Sequence, residues 1–285
     1  TVMVFIKLAV IFMFIFAGAF YVKPENWVPF APNGFHGIIS GAFIIFFAYI
    51  GFDAISTAAE ETKNPQRNLP IGLIGTLIIC TIVYVLTALV LCGMVPIDKI
   101  NVLAPISAAM SETGNNWIAG FISVGALAGL TSVLLVYQLG TTRILYAMSR
   151  DGFLPKILQD IHKKYQTPHI ITWVSGLIVV IGALFMDLNV SAELCDFGTF
   201  ASFTVVCIAV LILRKTDPER KRPFKVPFVP LFPILGILFC GGLMVYSLFT
   251  LGTSAILFPL WVLIGIIIYF GYCYKNIRKI EKENN

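Results

Sequence analysis

Apolar stretches of roughly 20 residues recur along this chain, and a helix of that length crosses a hydrocarbon core of about 30 Å. Candidate spans lie at 1–22, 36–61, 70–94, 117–147, 170–187, 191–213, 229–250 and 255–274. Inside lipid every backbone N–H and C=O has to be satisfied by the segment itself, because an unmet group costs on the order of several kcal/mol. Helices meet that condition one segment at a time. The sequence therefore predicts an all-α membrane protein with eight transmembrane helices. Composition agrees, with 12% charged residues against about 25% in soluble domains, and a mean hydropathy of +0.88.

Cytoplasmic loops of membrane proteins are enriched in Lys and Arg. Of the 20 basic residues, 17 fall in alternate connections: Lys63 and Arg67, Arg143 to Lys164, Arg214 to Lys225, and the tail Lys275 to Lys282. Lys23 and Lys99 lie in the opposite set. The split predicts a multi-pass protein of the cell membrane with a cytoplasmic carboxyl terminus. It also accounts for the net charge of +5 without nucleic acid as a partner. The six cysteines sit in or beside apolar spans with no CxxC pairing, and read as small hydrophobes. Thr1 opens directly into an apolar span, so the chain is expected to be the latter part of a longer protein.

One span contains a feature that a lipid-facing helix does not need. Phe47-Ala48-Tyr49-Ile50-Gly51-Phe52-Asp53 places a glycine and a charge inside 36–61. A helix broken at mid-membrane explains both, since freed carbonyls and two half-helix ends can then face a polar ligand. The C-terminal end of the first half carries partial negative charge, which suits an ammonium group. On this reading the carbonyls of Phe47, Ala48 and Ile50 hold a substrate amine around Gly51, and the Phe47 or Phe52 ring closes over it. The bland alternative is that Gly51 permits close packing of uninterrupted helices. Asp53 either caps the second half-helix or meets a cationic side chain of the substrate.

Lys7 is a further charge within a span. Burial penalises a charged amine, which is the basis on which Lys7 could take up and release a proton. It could equally be a static cation that snorkels to the interface. Thr131 and Ser132 put two hydroxyls among small residues, able to coordinate a cation or to bond back to their own helix. Glu60, Glu61 and Arg67 bracket a tight turn ending in Asn64-Pro65 and could pair as a cytoplasmic gate, although exposed pairs are worth only about 0–1 kcal/mol. His36, His162 and His169 are scattered, and no HExxH or phosphate-loop spacing occurs, so neither enzyme, metal nor cofactor is expected.

Three strings together resemble the amino acid-polyamine-organocation transporters, and among them the bacterial cationic amino acid transporter branch. They are Phe47 to Asp53, the turn Glu60-Glu61 with Asn64-Pro65-Gln66-Arg67-Asn68-Leu69-Pro70, and Arg143-Ile144-Leu145-Tyr146-Ala147-Met148-Ser149-Arg150-Asp151-Gly152. The resemblance implies a five-plus-five inverted-repeat fold followed by accessory helices, with this chain as helices five to twelve. Residues 1–22 would be the last helix of the first repeat and 36–213 the second repeat, its first helix broken near Gly51. Residues 228–275 would be two accessory helices and 276–285 a cytoplasmic tail. The partners implied are an L-amino acid, protons, the bilayer and the missing N-terminal helices. Lys7 resembles the lysine of proton-coupled members, and Thr131 and Ser132 are similar to a sodium-binding hydroxyl pair in related transporters. The expected function is proton-coupled uptake of L-amino acids, cationic or of broad specificity. Exchange of amino acids or polyamines without obligatory protons, or a membrane amino acid sensor, are the alternatives.

Overall fold

The computed structural model describes residues 2–101, 103–250, 252–274 and 276, apart from the side chains of residues 60, 61 and 250. No strand occurs among the described residues. Ten α-helical segments follow in chain order: α1 (Val2–Ala19), α2 (Gly34–Phe46), α3 (Pro65–Met94), α4 (Pro105–Glu112), α5 (Asn116–Arg150), α6 (His169–Phe185), α7 (Leu188–Thr216), α8 (Leu231–Gly236), α9 (Gly242–Thr250) and α10 (Gly252–Ile268). A five-residue π-turn, Ile237–Gly241, joins α8 to α9 in one apolar rod.

Seven helical segments are long and apolar enough to cross a membrane. The eighth expected span, at 170–187, is the 17-residue α6. At 1.5 Å per residue it reaches about 25 Å, short of the hydrocarbon thickness. Pro168 precedes its first turn and Asp187 stands just beyond its end, so the apolar run has no room to extend. In the other direction, α3 starts at Pro65 rather than near Pro70. The first four N–H groups of a helix lack intrahelical partners in any case, so Pro65 costs nothing and Pro70 forfeits a single bond.

Large apolar side chains on the spans point outward, with Phe16, Leu135, Ile178 and Trp261 each more than 60% exposed. Apolar surface on that scale requires lipid as solvent. The molecule is a multi-pass membrane protein.

The chain divides into two compact units, Thr1–Ser40 with Gly72–Tyr137, and Gly41–Ile71 with Gln138–Asn285. The core of the first gathers Phe14, Val90, Met94, Met110 and Ile122. Small residues let the backbones approach there. A Cβ on Gly18 would lie 2.6 Å from Val90 Cγ1, and one on Gly125 would lie 2.8 Å from Val10 Cγ2. The carbonyls closing α3 are served by the loop after α1: Lys23 N–H and Asn26 Nδ2 both donate to Gly93 O, at 2.9 and 2.8 Å, and Trp27 Nε1 donates to Leu89 O at 3.1 Å.

In the second unit, α5 ends in a Schellman motif. Gly152 has φ 85°, its N–H donates to Ser149 O at 3.1 Å, and Phe153 N–H donates to Met148 O at 2.9 Å. The end of the chain grips the same turn. Cys273 Sγ donates to Phe153 O at 3.0 Å and Asn276 Nδ2 to Gly152 O at 2.8 Å. Of the expected tail at 276–285, only Asn276 is among the described residues.

Candidate functional site

The α-helical ladder of the second span stops at Phe46. Phe47–Tyr49 form a single 3₁₀ turn, in which Ile50 N–H donates to Phe47 O at 3.3 Å. Ile50 is extended (φ −59°, ψ 136°), and Gly51 turns left-handed at φ 108°, ψ −10°. A side chain is disfavoured in that conformation, so the glycine is a requirement of the path. Phe52–Glu61 then continue as a ten-residue 3₁₀ helix, well beyond the usual three or four residues. Hydroxyls tighten it: Ser56 Oγ donates to Asp53 O at 2.6 Å and Thr57 Oγ1 to Ala54 O at 2.7 Å. A second half-helix of α type would have risen more slowly per residue.

Asp53 is exposed, and its Oδ1 accepts the Gly51 N–H at 3.2 Å. The carboxylate, in the first turn of the following helix, thus reaches back to the N–H of its N-cap residue, at the end where a helix dipole favours negative charge. Phe47 is 46% exposed. Phe52 instead packs on Phe203 of α7, centroids 5.6 Å apart. It ends an aromatic seam in which Phe46 stacks on Phe200 at 4.2 Å and Phe43 meets both Phe197 and Phe200. Residues 197, 200 and 203 lie on one face of α7, as i, i+3 spacing requires. The aromatic seam beside the break therefore draws its rings from three elements, α2, the 3₁₀ helix and α7, and all six residues belong to one unit. Ala48 and Ile50 are engaged in interactions of their own.

In the other unit, the Lys7 stem lies over Gly129, where a Cβ would stand 3.8 Å from Lys7 Cδ. That is ordinary van der Waals distance, so the stem rests along α5 at contact range of position 129. One turn on, Ser132 Oγ donates to Gly129 O at 2.8 Å, and Thr131 Oγ1 donates to Leu127 O at 2.9 Å. Lys7 and Ser132 thus share Gly129 as a neighbour, whereas the exposed Thr131 bonds back one turn earlier. A hydroxyl that donates to a carbonyl keeps lone pairs with which to accept.

At the turn after the break, Asn64 has φ 48°, and its carbonyl accepts Arg67 N–H and Asn68 N–H, each at 3.0 Å. Arg67 is exposed. The side chains of Glu60 and Glu61, its expected gate partners, lie outside the described residues.

Two carboxylates absent from the residues expected on sequence grounds stand out in α7. Glu193 Oε2 accepts the hydroxyl of Ser254 on α10. Asp196 is 2% exposed and its Oδ1 has no hydrogen-bond partner. The signal was present in the sequence, since an ionisable residue within a span is a functional candidate by default.

With this geometry in place, comparison with known proteins is decisive. The amino acid permease family model matches residues 1–274. The chain belongs to the amino acid permease family. Among relatives of this permease chain is a methylthioribose transporter of Bacillus subtilis (strain 168), 44% identical over 276 residues, covering 96% of this chain and 59% of the relative. The branched-chain amino acid permease BcaP of the same organism is 44% identical over 279 residues, covering 97% of this chain and 59% of its own length. A chloroplastic cationic amino acid transporter 9 of Arabidopsis thaliana is 37% identical over 222 residues, covering 78% of this chain and 39% of that protein. These relatives are named as permeases and transporters, not as enzymes. The permease chain spans about three-fifths of the length of the two Bacillus proteins.

Proposed function

We propose that this chain is the carboxyl-terminal portion of a secondary transporter that takes up L-amino acids across the cell membrane, driven by the proton gradient. The observation that carries the reading is the interruption of an apolar span at Phe46, turned through a left-handed Gly51. A membrane segment gives up its α-helical ladder only where something other than lipid meets the freed backbone. Around that turn the carbonyls of Phe47, Ala48 and Ile50 receive the substrate ammonium. A carbonyl has two lone pairs, so one that already accepts a bond can accept another. The half-exposed Phe47 ring is the cover, because Phe52 is committed to Phe203. Asp53 stabilises the turn through Gly51 and biases the site toward cationic groups.

Residues 36–213 act as the second inverted repeat, 1–22 as the last helix of the first, and 228–275 as accessory helices, giving eight crossings with the carboxyl terminus in the cytoplasm. Lys7 carries the coupling proton, exchanging contacts with Ser132 and Thr131 as the cycle proceeds. Arg67 gates the cytoplasmic side with Glu60 and Glu61. Relatives named for branched-chain amino acids, cationic amino acids and methylthioribose leave the side-chain preference as the finest point of the proposal, and we favour cationic or broad specificity.

One observation favours a second reading. Thr131 and Ser132 both donate to carbonyls of their own helix, an arrangement that needs no coupling ion and suits an exchanger. Uptake of labelled arginine, lysine, leucine and alanine by proteoliposomes of the full-length protein separates the two. Accumulation that follows an inward proton gradient, and that Lys7→Met abolishes while counterflow persists, is the expected result. Fast counterflow with negligible net uptake under any gradient would establish exchange instead.

A further inference from the structure

Glu193 and Asp196 stand three residues apart on α7, close enough for each charge to feel the other. Both belong to a span in which an ionised side chain is costly and seldom left without a partner. The elements packed against α7 are α8, the π-turn, α9, α10 and the 3₁₀ turn Phe47–Tyr49, and, through their rings, α2 and the 3₁₀ helix Phe52–Glu61. Their one basic or imidazole residue is His36, seven residues before Phe43 on α2. Their other titratable residues are Cys240, Tyr246, Tyr49, Asp53, Glu60 and Glu61. Asp196 Oδ1 accepts a hydrogen bond from none of them.

The two carboxylates differ in surroundings. Glu193 is supported by the Ser254 hydroxyl. Asp196 is enclosed, and Oδ1 accepts no hydrogen bond. Two carboxylates sharing a dry site do not both ionise, and the one without a donor gains most from neutralisation. No cavity is needed, since the guest is a proton.

We propose that Asp196 is a proton-binding site, with Glu193 as the positioning group whose negative charge and Ser254 bond keep the proton on its neighbour. Asp196 shares a face with Phe200 one turn on, and Phe200 packs against Phe43 and Phe46 at the approach to the break. The proton is retained while that seam is closed and is released when α7 meets water. This deepens the proton-driven reading, adding a carrier distinct from Lys7.

The test is infrared difference spectroscopy on the full-length protein in lipid at neutral pH, which needs no flux. The wild type is expected to show the carbonyl band of a buried protonated carboxylic acid, shifting in deuterated water. Asp196→Asn, isosteric with the neutral acid, should remove it. Glu193→Gln should keep it at a shifted frequency, and Lys7→Met should leave it unchanged. Absence of the band in wild type would overturn the proposal whatever the variants do, as would a band that survives Asp196→Asn. Because the spectrum is read without transport, this result stands or falls separately from the uptake experiment.

Discussion

Gly51→Ala tests whether the break is the working part of the site. An L residue in the left-handed region costs about 1–2 kcal/mol, and Gly51 at φ 108° lies beyond the centre of that region. Alanine also favours an uninterrupted helix over glycine by about 0.8–1.0 kcal/mol. The two effects have the same sign and together shift the balance from broken to continuous by about 2–3 kcal/mol, or roughly 30- to 150-fold at ~1.4 kcal/mol per decade. Apparent affinity falls in proportion to the competent fraction once the broken form ceases to dominate. We expect amino acid binding to the full-length variant to weaken by about tenfold or more, measured by calorimetry. Gly41→Ala is the matched control. It lies in α2 with nothing within 4 Å of the added Cβ, so affinity should hold and stability should rise by a few tenths of a kcal/mol or more. Binding by Gly51→Ala within twofold of wild type would refute the argument, since the conformer it penalises would then be irrelevant to substrate.

Gly125→Ala places a methyl 2.8 Å from Val10 Cγ2, an overpacking expected to cost about 1–3 kcal/mol. Thermal unfolding in detergent should show the loss, and a second change, Val10→Ala, should not restore it, because the Val10 Cβ itself stands 2.9 Å from the added methyl. Phe200→Leu removes two ring contacts, to Phe43 and Phe46, at about 0.5–1.5 kcal/mol each. Its melting temperature should fall, and a variant as stable as wild type would show that the seam contributes no specific ring geometry.

Much of this architecture is legible in the residues themselves, and the reasons differ by element. Spans are set by length and apolarity, which are local properties, so α3, α5 and α7 lie where the hydropathy puts them. α6 is as long as its apolar run, and Pro168 and Asp187 fix its ends closer together than in the other spans. Gly51 is visible as a glycine with a charge close behind it, yet the 3₁₀ geometry of Phe52–Glu61 is not. That depends on Ser56 and Thr57 bonding back three residues, a choice hydroxyls make only in place. Ser132 bonds back three residues in the same way inside α5, and Thr131 bonds back four, yet there the helix stays α. The packing of Lys7 over Gly129 joins residues more than a hundred apart, and no periodicity encodes it. Asp196 was legible as a charge in a span but not as an orphan, since its isolation is defined by the helices around it.

The role of α7 follows from what its faces carry. Phe197, Phe200 and Phe203 form the wall on which the broken segment rests, and Asp196 and Glu193 lie within a turn of that wall. A rearrangement that lifts Phe46 from Phe200 also alters the enclosure of Asp196, because the two contacts share one helical surface. Packed surfaces of this kind switch between discrete arrangements more readily than they deform. Substrate at the break and a proton on Asp196 would then be ligands of the same two-state element. Linkage requires the effect to be mutual: whatever factor the proton imposes on substrate affinity, substrate imposes on proton affinity. If the turn binds the amine and Asp196 the proton, as proposed, their adjoining surfaces couple the two with no rigid relay of bonds between them.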